Sequence, residues 1–214
     1  SRAHRRFARD VQAPFMTVSR RKILWGVAGT MLVTGAAFAA LYRPYPSDRT
    51  PEGAYMRVAR GVTSDNPSVF FAYLETEAQW ACYTIRDMRR KARERVMASY
   101  PEPQRSELTA AYAPFADAPD GSDVFAHLYR TKQWSRRLRK DMSGSVRVET
   151  DAKGERASVV TVQGTRWPFR KRDNGIWGLT VFTAELLAEA EKATRDLDVV
   201  EAAAADYDRI RERR

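Results

Sequence analysis

Residues 23–42 form an uncharged stretch of 20 residues in a chain of 214 residues, of which 30% are charged. The stretch is ILWGVAGTMLVTGAAFAALY. A helix rises about 1.5 Å per residue, so this length just crosses a hydrocarbon core about 30 Å thick. A segment that is apolar on every side does not fit a half-buried helix of a globular core. We therefore predict that residues 23–42 are a transmembrane helix or the hydrophobic region of an export signal.

The residues before this stretch are basic, and they predict its orientation. Arg20, Arg21 and Lys22 precede it directly, in a 22-residue leader with seven basic residues and one acidic residue. Flanking cations favour the cytoplasmic side of a membrane. Residues 1–22 are thus predicted to be a cytoplasmic leader, and the part beyond the linker 43–50 is predicted to lie across the membrane. The expected location is the inner membrane with a periplasmic domain, or the periplasm after cleavage.

Two interpretations of the apolar stretch remain open. It is either an uncleaved anchor or a removable leader. Ala37 and Ala39 form the small-x-small pattern of a cleavage site, with cleavage after Ala39. Arg20 and Arg21 resemble the arginine pair of a twin-arginine export signal. In both interpretations, the predicted partner of residues 23–42 is the membrane.

The positive charge is concentrated at the start of the chain. The net charge is +10, and residues 1–22 account for +6, which leaves +4 for the rest. Two later basic runs, Arg86–Arg95 and Arg130–Lys140, are offset by acidic residues elsewhere. We interpret these runs as solvated helix faces or as contacts for anionic lipid headgroups. No nucleic-acid-binding motif accompanies them, so nucleic acid is not a predicted partner.

Cysteine and histidine are scarce, which excludes several kinds of site. The chain has one cysteine and two histidines. A disulfide framework, a zinc ribbon or an iron–sulfur cluster would need more ligands than this chain alone supplies. No Gly-rich phosphate-binding loop is present either. We predict neither a metal site nor a cofactor.

After the linker, the pattern predicts helices. Pro51 is expected at the first position of a helix over 51–62, and a long helix is expected over 67–100. A short helix over 104–112 follows. Ser122 or Asp123 is expected to cap the next helix. Apolar residues recur every three or four positions throughout this part.

Gly144 marks the change from helical to alternating periodicity. The sequence Asp173-Asn174-Gly175 is typical of a tight hairpin turn. Short loops between strands require an antiparallel sheet. Helices followed by strands indicate an α+β domain. The predicted strands are 146–149, 157–162, 165–171 and 176–182.

The tail, about 184–214, is rich in Ala, Glu, Leu and Arg, and it is predicted to be one long amphipathic helix. Its apolar residues step alternately by four and three positions, as in a heptad seam. Three interpretations stay open: packing on the domain, a coiled coil with itself or a partner protein, and a free helix. The seam residues are Leu186, Ala190, Ala193, Leu197, Val200, Ala204 and Tyr207.

No catalytic constellation is evident. Glu77, Asp87 and His127 are the candidates for a general base, but each fits an ordinary place on a helix surface. Cys82 lies among apolar residues, and a lone buried thiol is usually inert packing. No catalytic residue is therefore predicted.

Two segments carry a family resemblance. The stretch that begins PEGAY at residue 51 and ends at Trp80 is similar to the opening of NTF2-like (cystatin-fold) domains. Residues 164–177, GTRWPFRKRDNGIW, are similar to their last hairpin, where a polar turn with Gly precedes an aromatic strand. The resemblance covers 51–182 and departs from the family by a helical insertion at about 86–140 and by the helical tail 183–214.

The resemblance implies a curved antiparallel sheet wrapped on a long helix, which would leave a cone-shaped cavity. Members of the family include enzymes, ligand carriers and envelope modules without chemistry, so the fold alone selects no function. Five aromatic residues are candidates to line the implied cavity, although aromatic residues are more often simply core. They are Trp80, Tyr83, Trp134, Trp167 and Trp177.

Together these features favour a non-catalytic envelope protein that is exported or anchored by a single span. It would act as a protein-interaction or assembly module, through its α+β surface and the helix 184–207. One alternative is a small-molecule binder or isomerase-like enzyme that uses the cavity. The other is an adaptor for anionic membrane surfaces that uses the two basic runs.

Overall fold

The computed structural model of the chain describes residues 46–213. Over these residues the chain forms seven helices and one four-stranded antiparallel sheet, which is the predicted α+β class. The helices are α1 (Pro51–Thr63), α2 (Pro67–Phe71), α3 (Thr76–Ser99), α4 (Gln104–Ala116), α5 (Gly121–Thr131), α6 (Trp134–Asp141) and α7 (Thr183–Glu212). The strands are β1 (Ser145–Thr150), β2 (Arg156–Thr161), β3 (Arg166–Lys171) and β4 (Trp177–Leu179).

The export segment and its signal residues, Arg20, Arg21, Ala37 and Ala39, lie outside the described residues. Within residues 46–213, no helix combines the length and the apolar character needed to span a bilayer. The predicted anchor or leader at 23–42 therefore stays a prediction.

Helix α1 begins where its local chemistry predicts. Pro51 occupies the first turn, and the Thr50 hydroxyl accepts a hydrogen bond from the Gly53 N–H at 3.2 Å. This bond satisfies one of the backbone donors that a helix start leaves free. Tyr55 and Val58 are buried on the face of α1 that contacts the sheet. Helix α1 thus has a capped N-terminus and packs on β1, β2 and β4.

The long helix expected over 67–100 is instead two helices, α2 and α3, because the segment between them pairs with the sheet. The Leu179 N–H donates to the Tyr73 carbonyl at 2.7 Å, and the Glu75 N–H donates to the Leu179 carbonyl at 3.1 Å. Leu74 and Leu179 form a parallel bridge. These bonds cover the open edge of β4, and helical backbone over Tyr73–Glu75 could not make them.

Helix α5 is capped by Asp120, not by the predicted Ser122 or Asp123. Asp120 has extended backbone angles, and its side chain forms a capping box with Asp123. The Asp120 N–H donates to Asp123 Oδ2 at 3.2 Å. Asp123 is therefore the reciprocal partner of the cap, three residues into the helix.

We expect Asp120→Ala to destabilise the protein by about 1 kcal/mol at neutral pH. A hydrogen bond from Tyr83, followed by those from Gly121 and Ser122, holds the pKa of Asp120 below its ordinary value. A lowered folded-state pKa means that the stabilisation is complete above about pH 5 and is lost as the pH falls through the folded pKa. Thermal unfolding of both proteins between pH 7 and pH 3 should show the difference shrink in acid. The control is Asp198→Ala, which removes a carboxylate at an exposed position of α7 but removes no helix cap.

The sheet is a meander in the order β1-β2-β3-β4, and every neighbouring pair is antiparallel. Successive side chains of a strand point to opposite faces of the sheet, and those of Val159, Trp167 and Phe169 lie on the core face. The hairpin between β3 and β4 has the predicted turn, with Gly175 at a φ of 82°. A positive φ at this position favours glycine.

The main core is built around aromatic rings from the helices. Phe125 of α5 contacts the rings of Phe70, Phe71, Trp134 and Phe182, with centroid separations of 5.4 to 5.9 Å. Phe125 and Trp134, which lie in the expected insertion 86–140, thus belong to the centre of the core. Edge-to-face and tilted packing of this kind fills space densely.

Helices α3 and α7 run side by side in the same direction. Thr183 at the start of α7 bonds Glu75 at the start of α3, and Arg211 reaches the Ala98 carbonyl near the far ends. The predicted seam of α7 is buried against the chain itself, with Leu197 and Tyr207 partly buried. Of the three interpretations of the tail, packing on the domain is the one the structure shows, and the seam is not left for a partner.

Ion pairs reinforce this helix pair and use most of the basic run Arg86–Arg95. Arg89 pairs with Asp196, and Arg95 pairs with Glu201 at 3.3 Å and Asp208 at 2.8 Å. Arg93 pairs with Asp117, which follows α4. These arginines contact groups of the same chain, so they do not form a free cationic face.

Candidate functional site

The five aromatic residues predicted to line a cavity do not come together around one. Trp134, Trp167 and Trp177 are buried members of the core, each no more than 5% exposed. Tyr83 packs partly against that core. Trp80 lies on the surface and is 66% exposed. The interpretation of these residues as one cavity lining is therefore wrong, because they point to different parts of the molecule.

The buried indoles are held by packing and by hydrogen bonds. Trp134 Nε1 donates to Glu185 Oε2 at 3.0 Å, and Trp177 Nε1 donates to the Arg49 carbonyl at 3.1 Å. The ring of Trp167 lies 6.5 Å from that of Tyr55. Buried Trp normally finds a partner for its N–H, and these contacts are those of structural residues.

The residues considered for catalysis occupy ordinary positions. Burial raises the pKa of the Cys82 thiol to about 12, so the nucleophilic thiolate is absent near neutral pH. His127 stacks edge-to-face on Phe115. Glu77 and Asp87 have exposed side chains. Among the pockets described in residues 46–213, Glu77 lines one with its exposed carboxylate, and Cys82, Asp87 and His127 line none.

The second basic run also contacts the chain itself. Lys132 pairs with Glu189 at 2.7 Å, and Arg137 pairs with Glu185 at 3.1 Å. Arg139 pairs with Asp65 at 3.0 Å. The pairs of Arg137 and Arg139 link α6 to α7 and to the turn after α1, and that of Lys132 links the end of α5 to α7.

The surface feature that stands out is a groove between α3 and α7, which we call the α3–α7 groove. Its volume is about 490 Å³ and its lining is mostly apolar. Trp80 and Leu187, which is 40% exposed, are its large apolar residues. Its lining is Glu77, Trp80, Ala81, Thr84, Leu187, Ala190, Glu191, Thr194 and Arg195.

Trp80 has a defined position in spite of its exposure. Its ring lies 6.4 Å from the ring of Tyr83 in an edge-to-face arrangement. Tyr83 in turn packs on Phe71 of the core, and the Arg86 guanidinium lies over its ring at 5.3 Å. These contacts place the Trp80 ring against a residue that itself packs on the core.

A second pocket, which the sequence pattern did not indicate, lies on the sheet face opposite the core. Its volume is about 520 Å³, and Glu75, Ser158, Pro168 and Arg170 are among its lining residues. The register places Ser158 opposite Pro168 on neighbouring strands. We call it the sheet pocket.

Glu75 is the buried charge of the sheet pocket, with a side chain only 6% exposed. Its Oε2 accepts a hydrogen bond from the Thr183 hydroxyl at 2.7 Å. Its Oε1 lies 2.5 Å from Arg170 Nη1, so the buried carboxylate has a cationic partner.

No sequence signal identified Glu75, since it lies inside the stretch predicted as continuous helix. Its burial follows from the break between α2 and α3, where the chain pairs with β4. Within residues 46–213, no cluster of His, Cys, Asp and Glu has the geometry to hold a metal ion.

Comparison of the chain with protein-family models, with curated proteins and with solved structures found no match. The NTF2-like resemblance accordingly rests on the sequence pattern alone.

Proposed function

We propose that the chain is a non-catalytic protein-interaction module that receives a helix of a partner protein in the α3–α7 groove. The observation that carries this proposal is Trp80, a tryptophan that is two-thirds exposed, packed edge-to-face against Tyr83, and set in an apolar groove. Tryptophan is enriched among the residues that dominate binding energy at interfaces. The partner site thus lies between α3, which carries Trp80, and α7.

The exposed apolar area is large enough to matter. Complete burial of an aromatic side chain removes about 150–250 Å² from water, at about 25 cal/mol per Å². Covering the exposed two-thirds of Trp80 is therefore worth on the order of 3 kcal/mol before the costs of association. A single residue of this size does not determine the affinity for the partner, but its removal should weaken binding strongly.

Charges at the groove indicate what the partner helix carries. Glu77 and Glu191 line the groove with exposed carboxylates, which form long ion pairs with Arg170 at 3.4 Å and with Arg195, also in the lining, at 3.5 Å. A helix with an apolar face flanked by lysine or arginine complements this arrangement. We expect such a helix to place its apolar residues on Trp80 and Leu187 and its basic residues beside the two carboxylates.

A photo-crosslinker placed at Thr194 in the groove tests the proposal in native cells. We expect a discrete adduct whose yield falls about 30-fold when Trp80→Ala is added, since loss of a central anchor costs about 2 kcal/mol. The cross-linked partner peptide, identified by mass spectrometry, should be amphipathic and should contain lysine or arginine.

Two matched variants serve as controls. A crosslinker at Asp198, exposed further along α7, should give no such adduct, and Val199→Ala should leave the Thr194 adduct unchanged. An adduct at Thr194 that survives Trp80→Ala at full yield contradicts the proposal, and so does the absence of any adduct.

Export or anchoring by residues 20–42 is part of the proposal. It is supported by the uncharged stretch, the preceding basic residues and the small-x-small pattern at Ala37 and Ala39. N-terminal sequencing of the protein from fractionated native cells tests it. A new N-terminus after Ala39 means a cleaved leader, and an intact segment in the membrane fraction means an anchor. An intact segment in the cytosolic fraction would refute export.

The NTF2-like fold is likewise proposed. Two features support it. Helices precede an antiparallel meander, and the final hairpin has Trp167, Phe169 and Trp177 on its core face. The adaptor for anionic membranes has less support, because the arginines of its two basic runs largely contact carboxylates of the same chain.

A further inference from the structure

Two arginines lie opposite each other on neighbouring strands of the sheet. Arg156 on β2 and Arg170 on β3 are register partners, so that their side chains start from directly opposite positions. Like charges placed directly opposite on neighbouring strands destabilise a sheet. Both residues line the sheet pocket and also a neighbouring groove of about 610 Å³. The arrangement concentrates positive charge where two cavities meet.

The two arginines are unequally compensated. Arg170 pairs with buried Glu75 and lies 3.4 Å from Glu77. Among the residues that the structure describes, Arg156 has no carboxylate within ion-pair distance of its guanidinium. The Asp151 carboxylate instead accepts the backbone N–H groups of Glu155 and Arg156, at 2.9 and 3.2 Å. Arg156 is exposed and available to an external anion.

More cations surround this pair. Lys153 and Lys171 line the same groove and are exposed, whereas Glu155 and Asp173 are its two acidic residues. Arg172 also lines it, but its guanidinium is used elsewhere: it donates to the Ala72 carbonyl at 2.7 Å. The groove thus has Arg156, Arg170 and two lysines to offer to a ligand.

Two other carboxylates of the sheet pocket, those of Glu149 and Glu75, already bond other groups of the chain and do not pair with Arg156. Glu149 of the sheet pocket pairs with Arg147 and Arg166, and their hydrogen bonds hold its pKa below the usual value. Glu75 is tied to Thr183 and keeps Arg170 in place. The site is therefore partly preorganised, with one arginine fixed and the opposite one free.

We propose that Arg156 and Arg170 bind a phosphate monoester between them. A guanidinium presents parallel N–H donors that match the oxygens of a phosphoryl group, and Arg156, Lys153 and Lys171 are cations that no ion pair among the described residues neutralises. A simple carboxylate has one charge and two oxygens, and one arginine satisfies it. Lys153 and Lys171 add attraction at the rim. The monoester comes either from a soluble metabolite or from the headgroup of a lipid such as phosphatidate.

The full-length chain tests this by equilibrium dialysis against inorganic phosphate, with chloride used to hold the ionic strength constant. We expect saturable binding at one site, weakened at least tenfold by Arg156→Gln. The matched control is Arg136→Gln on α6, which removes one exposed arginine charge elsewhere and should change the affinity by less than twofold. Both positions are exposed, so the melting temperatures should stay close to that of the unmodified protein.

A second measurement separates the two sources of the ligand. Flotation on phosphatidylcholine vesicles is compared with and without phosphatidate, using the full chain and both variants. Recruitment that depends on both phosphatidate and Arg156 supports the proposal and assigns the lipid headgroup. Arg156-dependent dialysis without an effect of phosphatidate supports it and assigns a soluble monoester. If neither measurement depends on Arg156, or if Arg136→Gln loses as much, the proposal is overturned.

Discussion

Phe125→Ala should reduce the free energy of unfolding by about 3–5 kcal/mol, the largest loss expected from any single change considered for this chain. Phe125 is completely buried. Its ring contacts Phe70 and Phe182 at centroid separations of 5.4 Å and Trp134 at 5.9 Å. Removing it leaves a cavity bordered by rigid rings, which cannot collapse around an alanine.

Urea unfolding followed by circular dichroism measures this loss. The matched control is Trp80→Ala, which deletes a larger aromatic side chain that is mostly in water, and it should cost less than about 1 kcal/mol. If the two substitutions have equal effects, Phe125 is not at the centre of the core.

Gly178→Val should cost about 3 kcal/mol, although valine favours strands. A Cβ at Gly178 would lie 2.8 Å from the backbone N and Cα of Glu75 and from the Leu74 carbonyl oxygen. Those atoms belong to the segment that covers the edge of β4, and they cannot move without breaking its hydrogen bonds. The substitution therefore separates β4 from Glu75 or distorts both.

Hydrogen exchange of the Glu75 and Leu179 amides, together with the unfolding midpoint, detects this change. Gly144→Val is the control, since among the described residues a Cβ there meets one atom within 4 Å, a Val162 methyl at 3.8 Å, and it should shift stability by about 0.5 kcal/mol or less. Unchanged protection of both amides in the Gly178 variant would show that the close approach is not required.

Local chemistry in the sequence was sufficient to place most elements. Proline at position 51 predicts the start of α1, and Asp173-Asn174-Gly175 predicts the hairpin between β3 and β4. Each of these signals acts over about four residues of backbone, which is why it can be recognised without the fold. The boundaries of β2 and β3 agree with the prediction within one residue at each end.

The candidate sites were harder to predict, because they depend on contacts between distant parts of the chain. The five aromatics look alike in the sequence, but α5 and α7 bury Trp134 while no described element covers Trp80. Arg156 and Arg170 become neighbours only through the strand register. Exposure and pairing of this kind are properties of packing, which no local pattern specifies.

By itself, the sequence determined the α+β class, the change from helices to strands at Gly144, and the long helix at the tail, because periodicity and turn residues act locally. The tertiary structure alone decided that the tail's seam is buried against α3 and that the chain breaks its helix at Tyr73–Glu75 to pair with β4. The physical reason is that burial of apolar surface and satisfaction of backbone hydrogen bonds are decided by the whole chain, and here they join residues about 100 positions apart.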